Sequence, residues 1–134
     1  MILELLQESY SILHVEDHIG DADLVLELLR DCAPDAFRIT HVGAVRKAVP
    51  LLREKRFDLI LLDLSLPDAF GAESVDSLIE LAPDTPIVVL SGMQCERLSQ
   101  RSKRCGARAV LYKDHMNGPA LQCALTQVIM ESRV

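Results

Sequence analysis

Four apolar runs in this chain each end in residues that can hold a cation or a phosphate. Ser11 to Val15 ends in Glu16-Asp17, and Leu59-Ile60-Leu61-Leu62 ends in Asp63. Ile87-Val88-Val89-Leu90 ends in Ser91-Gly92, and Ala109 to Tyr112 ends in Lys113. Carboxylates brought close together repel one another unless a cation sits among them. An all-oxygen donor set suits Mg²⁺, which takes one or two carboxylates, several waters and a phosphate oxygen. A lysine and a hydroxyl on the far side then read as a phosphate clamp. A carboxylate beside such a metal can act as nucleophile toward phosphorus. Each residue alone has a duller explanation: a strand-ending aspartate, a capping pair, an ordinary turn, a solvated lysine. Only a fold that brings all four run ends to one edge makes the chemical explanation the better one.

The elements between the runs supply such a fold. Ala22 to Cys32 carries Leu24, Val25, Leu28 and Leu29 at helical spacing, and Asp21 or Asp23 is suited to cap its start. Phe37 to Val42 alternates like a half-buried edge strand. Ala44 to Arg56 reads as a helix with Pro50 inside it, which predicts a kink or a late start. Asp58 to Leu62 is a continuous apolar run, the mark of a central parallel strand buried on both faces. Ser65 to Gly71, with Pro67, Asp68 and Gly71, is loop chemistry. Further helices are expected over Ala72 to Leu81, over the basic stretch Cys95 to Arg104 closed by Gly106, and from Gly118-Pro119 onward. The last has Leu121, Ala124, Leu125, Val128 and Ile129 as its core face.

Five strands alternating with five helices predict an α/β fold, a parallel sheet with helices on both faces. Right-handed crossovers leave the doubly wound order 2-1-3-4-5, with its crevice between strands one and three. In that sheet Glu16, Asp17, Asp63, Ser91 and Lys113 all come to one edge.

Composition agrees with a single compact unit. The chain has 134 residues, about half of them hydrophobic, which fits one domain. We expect a single unit over 1–134, with its core at about 11–130 and no further domain in these residues. A net charge of −6 disfavours nucleic acid and anionic membrane as partners. No run approaches the ~20 apolar residues that cross a bilayer. Cys32, Cys95, Cys105 and Cys123 form no C-x-x-C pair and fit free thiols in a reducing cytoplasm.

The segments S-I-L-H-V-E-D, F-D-L-I-L-L-D-L-S-L-P-D, V-V-L-S-G and A-V-L-Y-K, in this order and spacing, resemble the defining segments of two-component response-regulator receiver domains. The resemblance runs from about Ser11 to Ile129 and implies the flavodoxin-like receiver fold. It implies that Asp63 is the phosphoacceptor, that Asp17 binds Mg²⁺ directly and that Glu16 acts nearby through a water. It implies a further metal ligand in the backbone carbonyl of Ser65. Ser91 and Lys113 would bind the phosphoryl group. The donor would be a phosphohistidine on a sensor histidine kinase or a phosphotransfer protein, and the output surface would be helix 4, strand 5 and helix 5. A cytoplasmic switch that catalyses only its own phosphorylation and dephosphorylation follows. The downstream partner is not legible, and a phosphorylation-linked homodimer is allowed. Two positions depart from the family pattern. Val110 stands where an aromatic residue is usual, with Tyr112 expected on the other face. Asp114, not proline, follows Lys113.

Three rival functions use similar parts. A phosphatase of the haloacid dehalogenase type wants a second aspartate two positions after the nucleophile, where Ser65 stands. A receiver-like scaffold that docks partners without phosphorylation would be expected to lose an acidic or lysine position; none is lost, so this alternative stands mainly on Val110. A flavin-binding flavodoxin would want a phosphate-cradling loop where Glu16-Asp17 stands. Arg97, Arg101, Lys103, Arg104 and Arg108 could face an acidic partner, but a solvated helix face is the simpler account. His14, His18, His41 and His115 lack metal-motif spacing. His14 is expected to pack inside strand one, His18 and His115 lie near the cleft, and Met93 is expected to pack.

Overall fold

The computed structural model describes residues 9–66, 69–70, 73–92 and 96–133. Met93, Cys95, Pro67, Asp68 and Gly71 lie outside them. The main sheet holds β1 (Tyr10–Val15), β2 (Phe37–Val42), β3 (Leu59–Asp63), β4 (Ile87–Ser91) and β5 (Ala109–Tyr112). All pairings are parallel, and the spatial order is β2-β1-β3-β4-β5. The helices are α1 (Ile19–Cys32), α2 (Val45–Glu54), α3 (Glu73–Leu81), α4 (Glu96–Arg104) and α5 (Gly118–Ser132).

β3 and β4 are buried along their whole length, as continuous apolar runs in a sheet covered on both sides should be. Their residues alternate between two cores. Leu13, Val15, Ile60, Leu62 and Val89 pack with Ala48 of α2 and Val75 and Leu78 of α3. Ile12, Leu59, Leu61, Val88 and Leu90 pack with Val25 and Leu29 of α1 and Leu121 and Leu125 of α5. Each leucine of β3, wholly removed from water, contributes about 1.5–3 kcal/mol. The strand β2 is an edge strand, half buried as its alternation predicts.

Several details differ from the sequence expectation. α1 begins at Ile19, and its cap is His18, whose ring accepts from the Asp21 backbone N–H; neither Asp21 nor Asp23 serves. Leu24 is 44% exposed, because the buried stripe of α1 is Ala22, Val25 and Leu29. The α2 helix runs from Val45 through Pro50 without a late start. Within the expected loop Ser65 to Gly71, Ser65–Leu66 and Ala69–Phe70 pair as a short antiparallel ribbon. Val110 packs on the α2/α3 side, whereas Ala109 and Leu111 pack on the α1/α5 side. Tyr112, two residues on from Val110 in the same strand, shares its face by the two-residue period, so the opposite-face expectation fails.

Two glycines are required by the backbone. Gly106 closes α4 at φ +120, a conformation closed to side chains with a Cβ. At Gly118 a Cβ would stand 2.9 Å from the Leu28 carbonyl oxygen, so this glycine lets the start of α5 approach α1.

Candidate functional site

The carboxyl ends of the parallel strands lie along one edge, and the crevice opens between β1 and β3, where the strand order reverses. Asp63 is the last residue of β3, paired in register with Leu90 of β4. It is 3% exposed. Glu16 continues β1 by one bond, its N–H donating to the Val42 carbonyl, and it is fully buried. Asp17 follows it at the surface. Glu16, Asp17 and Asp63 each offer a carboxylate oxygen within 4.8 Å of the others. Three anionic oxygens that close, with one residue exposed, fit a small hard cation that keeps part of its water.

Lys113, just past β5, reaches back over this cluster. Its Nζ lies 2.8 Å from Glu16 Oε1, 2.8 Å from Asp21 Oδ2 and 3.5 Å from Asp63 Oδ2. The contact with Asp21 is a hydrogen bond. The one with Glu16 is an ion pair by distance whose oxygen lacks hydrogen-bond alignment. The second oxygen of Glu16 accepts from the His18 N–H at 3.4 Å.

The charges in this cluster bias one another. Burial pushes Glu16 up to about 8; a side-chain hydrogen bond to Asp63 and the charge of Asp63 add to it, while Lys113 opposes. Burial pulls the Lys113 ammonium down, but the hydrogen bond to Asp21, the close contact with Glu16 and the charges of Asp63 and Glu16 outweigh it, so its pKa is raised. The Lys113 hydrogen bond holds Asp21 below the usual carboxylate range. A cluster in which burial disfavours the charge on Glu16 and one lysine lies beside three carboxyl groups is poised for an added positive charge.

Ser91 ends β4 beside Tyr112 of β5 and is buried. Alternation along β4 sets Ser91 on the same side as Val89, opposite the side of Leu90. Ser65 starts the ribbon two residues after Asp63. His115 lies in the short 3₁₀ turn after Lys113 and is exposed.

The family model of the response regulator receiver domain matches residues 12–125. The chain belongs to the response regulator receiver family. Receiver domains of this family are signalling domains of two-component systems. Among related sequences, the regulatory protein LuxO of Vibrio cholerae is 36% identical over 99 residues, 74% of this chain and 21% of that protein. A response regulator receiver protein from Anaeromyxobacter sp. (strain Fw109-5) is 33% identical over 99 residues, 74% of this chain and 40% of its own length. The receiver domain thus spans less than half of either relative.

Solved structures agree on the fold. A CheY-like receiver domain protein from Methanospirillum hungatei JF-1 superposes with a TM-score of 0.81 at 21% identity, covering 94% of this chain and 98% of that one. The receiver domain of a sensor histidine kinase from Pseudomonas aeruginosa PAO1, solved with magnesium coordinated in its active-site cleft, is 26% identical. Its TM-score is 0.75, and the match covers 91% of this chain and 98% of that one.

The receiver fold gathers Glu16, Asp17, Asp63 and Lys113 as expected, and sets Ser91 at the neighbouring strand end. Sequence reasoning missed Asp21 as a member of the cluster. An aspartate in a helix's first turn is commonly there for the helix dipole, and nothing in its neighbours indicates that it meets a lysine 92 residues away.

Proposed function

We propose that this receiver domain accepts one phosphoryl group on Asp63 from the phosphohistidine of a sensor kinase or phosphotransfer protein. The observation that carries this is the joint approach of three carboxylates within 4.8 Å and of the Lys113 ammonium to Asp63 at 3.5 Å. Asp17, Asp63 and the Ser65 carbonyl would hold Mg²⁺, with Glu16 acting through a water. The ion supplies charge neutralisation for the phosphoryl oxygens. An Asp63 oxygen attacks phosphorus, the P–N bond to the donor imidazole breaks with its electron pair leaving on nitrogen, and an acyl phosphate forms. Lys113 pairs with one phosphoryl oxygen, and the Ser91 hydroxyl donates to another.

In this reading the chemistry is the domain's own phosphorylation and dephosphorylation. The natural setting is the cytoplasm, with the α4–β5–α5 surface as the output face and residues 1–134 as one receiver unit. Among the described residues no helix is long and apolar enough to cross a membrane.

Intact-mass spectrometry after incubation with a small phosphodonor and Mg²⁺ tests the acceptor. Wild type should gain one phosphoryl group and Asp63→Asn none. Equal labelling of both proteins would remove Asp63 from the role.

A further inference from the structure

Lys113 is divided among partners, and the division is uneven. Its ammonium lies at 2.8 Å from Asp21 and from Glu16, but 3.5 Å from the acceptor Asp63. Asp21 is not needed to finish α1, since His18 already caps that helix. The side chain of Asp21 is 36% exposed, against 4% for Asp63. A pair at such a rim is weak and readily exchanged. The lysine side chain is a flexible stem with three rotatable donors, so a small swing takes Nζ from Asp21 to Asp63.

We propose that Asp21 is a positioning residue that latches Lys113 at the rim of the site until a phosphoryl group on Asp63 draws it inward. This rests on Asp63 being the acceptor. A phosphoryl group presents several acceptor oxygens and more negative charge than one carboxylate, so it wins the ammonium from Asp21. The latch nonetheless subtracts from the affinity for that group, because Lys113 must first leave a partner. It also ties the phosphorylated state to the first turn of α1: once Lys113 swings in, Asp21 loses its lysine and keeps its neighbour His18, 3.4 Å away.

The test is the affinity for beryllofluoride with saturating Mg²⁺, read by NMR titration in wild type, Asp21→Asn and Asp21→Glu. Asp21→Asn should bind about threefold to fivefold more tightly, the upper end of what a partly exposed ion pair carries. Asp21→Glu, which can remake the pair, should return close to wild type. In metal-free protein the Lys113 Cε shift should move in Asp21→Asn and be restored in Asp21→Glu. A merely structural role would lower the melting temperature while leaving the Lys113 shift and the affinity unchanged. Should Asp21→Asn fold poorly, Asp21→Ser replaces it in both measurements. If wild type binds beryllofluoride and Asp21→Asn matches it within twofold, the latch is wrong and the acceptor assignment stands. If wild type binds none, the acceptor assignment fails and takes the latch with it.

Discussion

At the scale of single residues, the clearest departure from a plain core is His14. It is fully buried in β1, and neither ring nitrogen has a hydrogen-bond partner among the described residues. Its ring lies 5.9 Å from that of His41, its register partner in β2, while His41 bonds the Glu16 carbonyl through Nε2. Burial lowers His14 from its ordinary 6.5 to about 4, and the nearby His41 and Lys113 charges add to the effect. The sign follows from proton counts. Between these two values the unfolded chain binds a proton that the folded chain refuses. The stability His14 contributes is therefore present above 6.5 and lost as pH falls toward 4, about 3 kcal/mol across the window. His14→Leu is close in volume and removes two unpaired polar atoms, so it should stabilise the domain by about 1–3 kcal/mol at pH 7. The gap should widen at pH 5. Glu16 has the opposite trend, its raised value favouring the folded state at low pH, but both proteins carry it and it drops out of the comparison. Urea unfolding at pH 7, 6 and 5 is the measurement. A gap that stays constant with pH would mean that His14 takes up a proton in the fold as readily as in the unfolded chain.

At the scale of elements, α4 has little apolar surface to hold it. Leu98 is its only large apolar side chain and is half buried, and the residues it buries fully are Ser99 and Ser102. The Ser102 hydroxyl turns back to the Leu98 carbonyl at 2.8 Å, so it satisfies itself within the helix. Elements with few buried apolar contacts open most easily. Ser91 ends β4 five residues before this helix begins, so a Ser91 drawn toward a phosphoryl oxygen pulls on the segment that leads into α4. Val110 is stiff at χ1 and packs into the same core as Leu98; it carries no ring or hydroxyl that could change places. Hydrogen exchange with and without beryllofluoride and Mg²⁺ should therefore change between Ser91 and Arg104 and hardly at all at Val110. Changes centred on β5 with a quiet Ser91 segment would reverse this route, and no change in a protein that has bound the mimic would favour a scaffold over a switch.

At the scale of the whole molecule, the sheet was legible because its signals are long. Two uninterrupted apolar runs mark β3 and β4, and the alternation with helices leaves few topologies. The run ends that carry Glu16, Asp17, Asp63, Ser91 and Lys113 then fall on one edge by topology alone. Short signals were not legible. Two-residue strands such as Ser65–Leu66 have no period to detect, and the cap at His18 looks in sequence like a residue of the preceding loop. The face of Leu24 was lost because the apolar stretch of α1 is wider than the stripe that it buries. Asp21 was lost because pairing across 92 residues is a property of the folded edge.

That edge sets the molecule's overall stability against its function. Glu16, Asp17, Asp21 and Asp63 gather at one end of a chain whose net charge is already −6, and Lys113 is the cation that meets three of them. Like charges crowded at a site oppose the compact state unless something neutralises them. Asp17 is the exposed member, so removing its charge relieves repulsion without leaving a buried partner unpaired. Asp17→Asn should accordingly be more stable than wild type without metal, by about 1 kcal/mol, in line with the trade between stability and site chemistry seen at functional positions. Mg²⁺ that binds only the folded state should raise the wild-type melting temperature by mass action, and the rise should vanish in Asp17→Asn. Glu16→Gln, if it acts through a water, should keep most of the rise. Melting curves with and without Mg²⁺, at ionic strength matched with NaCl, separate specific binding from screening of the net charge. A larger loss of the Mg²⁺ response in Glu16→Gln than in Asp17→Asn would exchange their roles, and a wild-type rise reproduced by NaCl alone would remove the metal site.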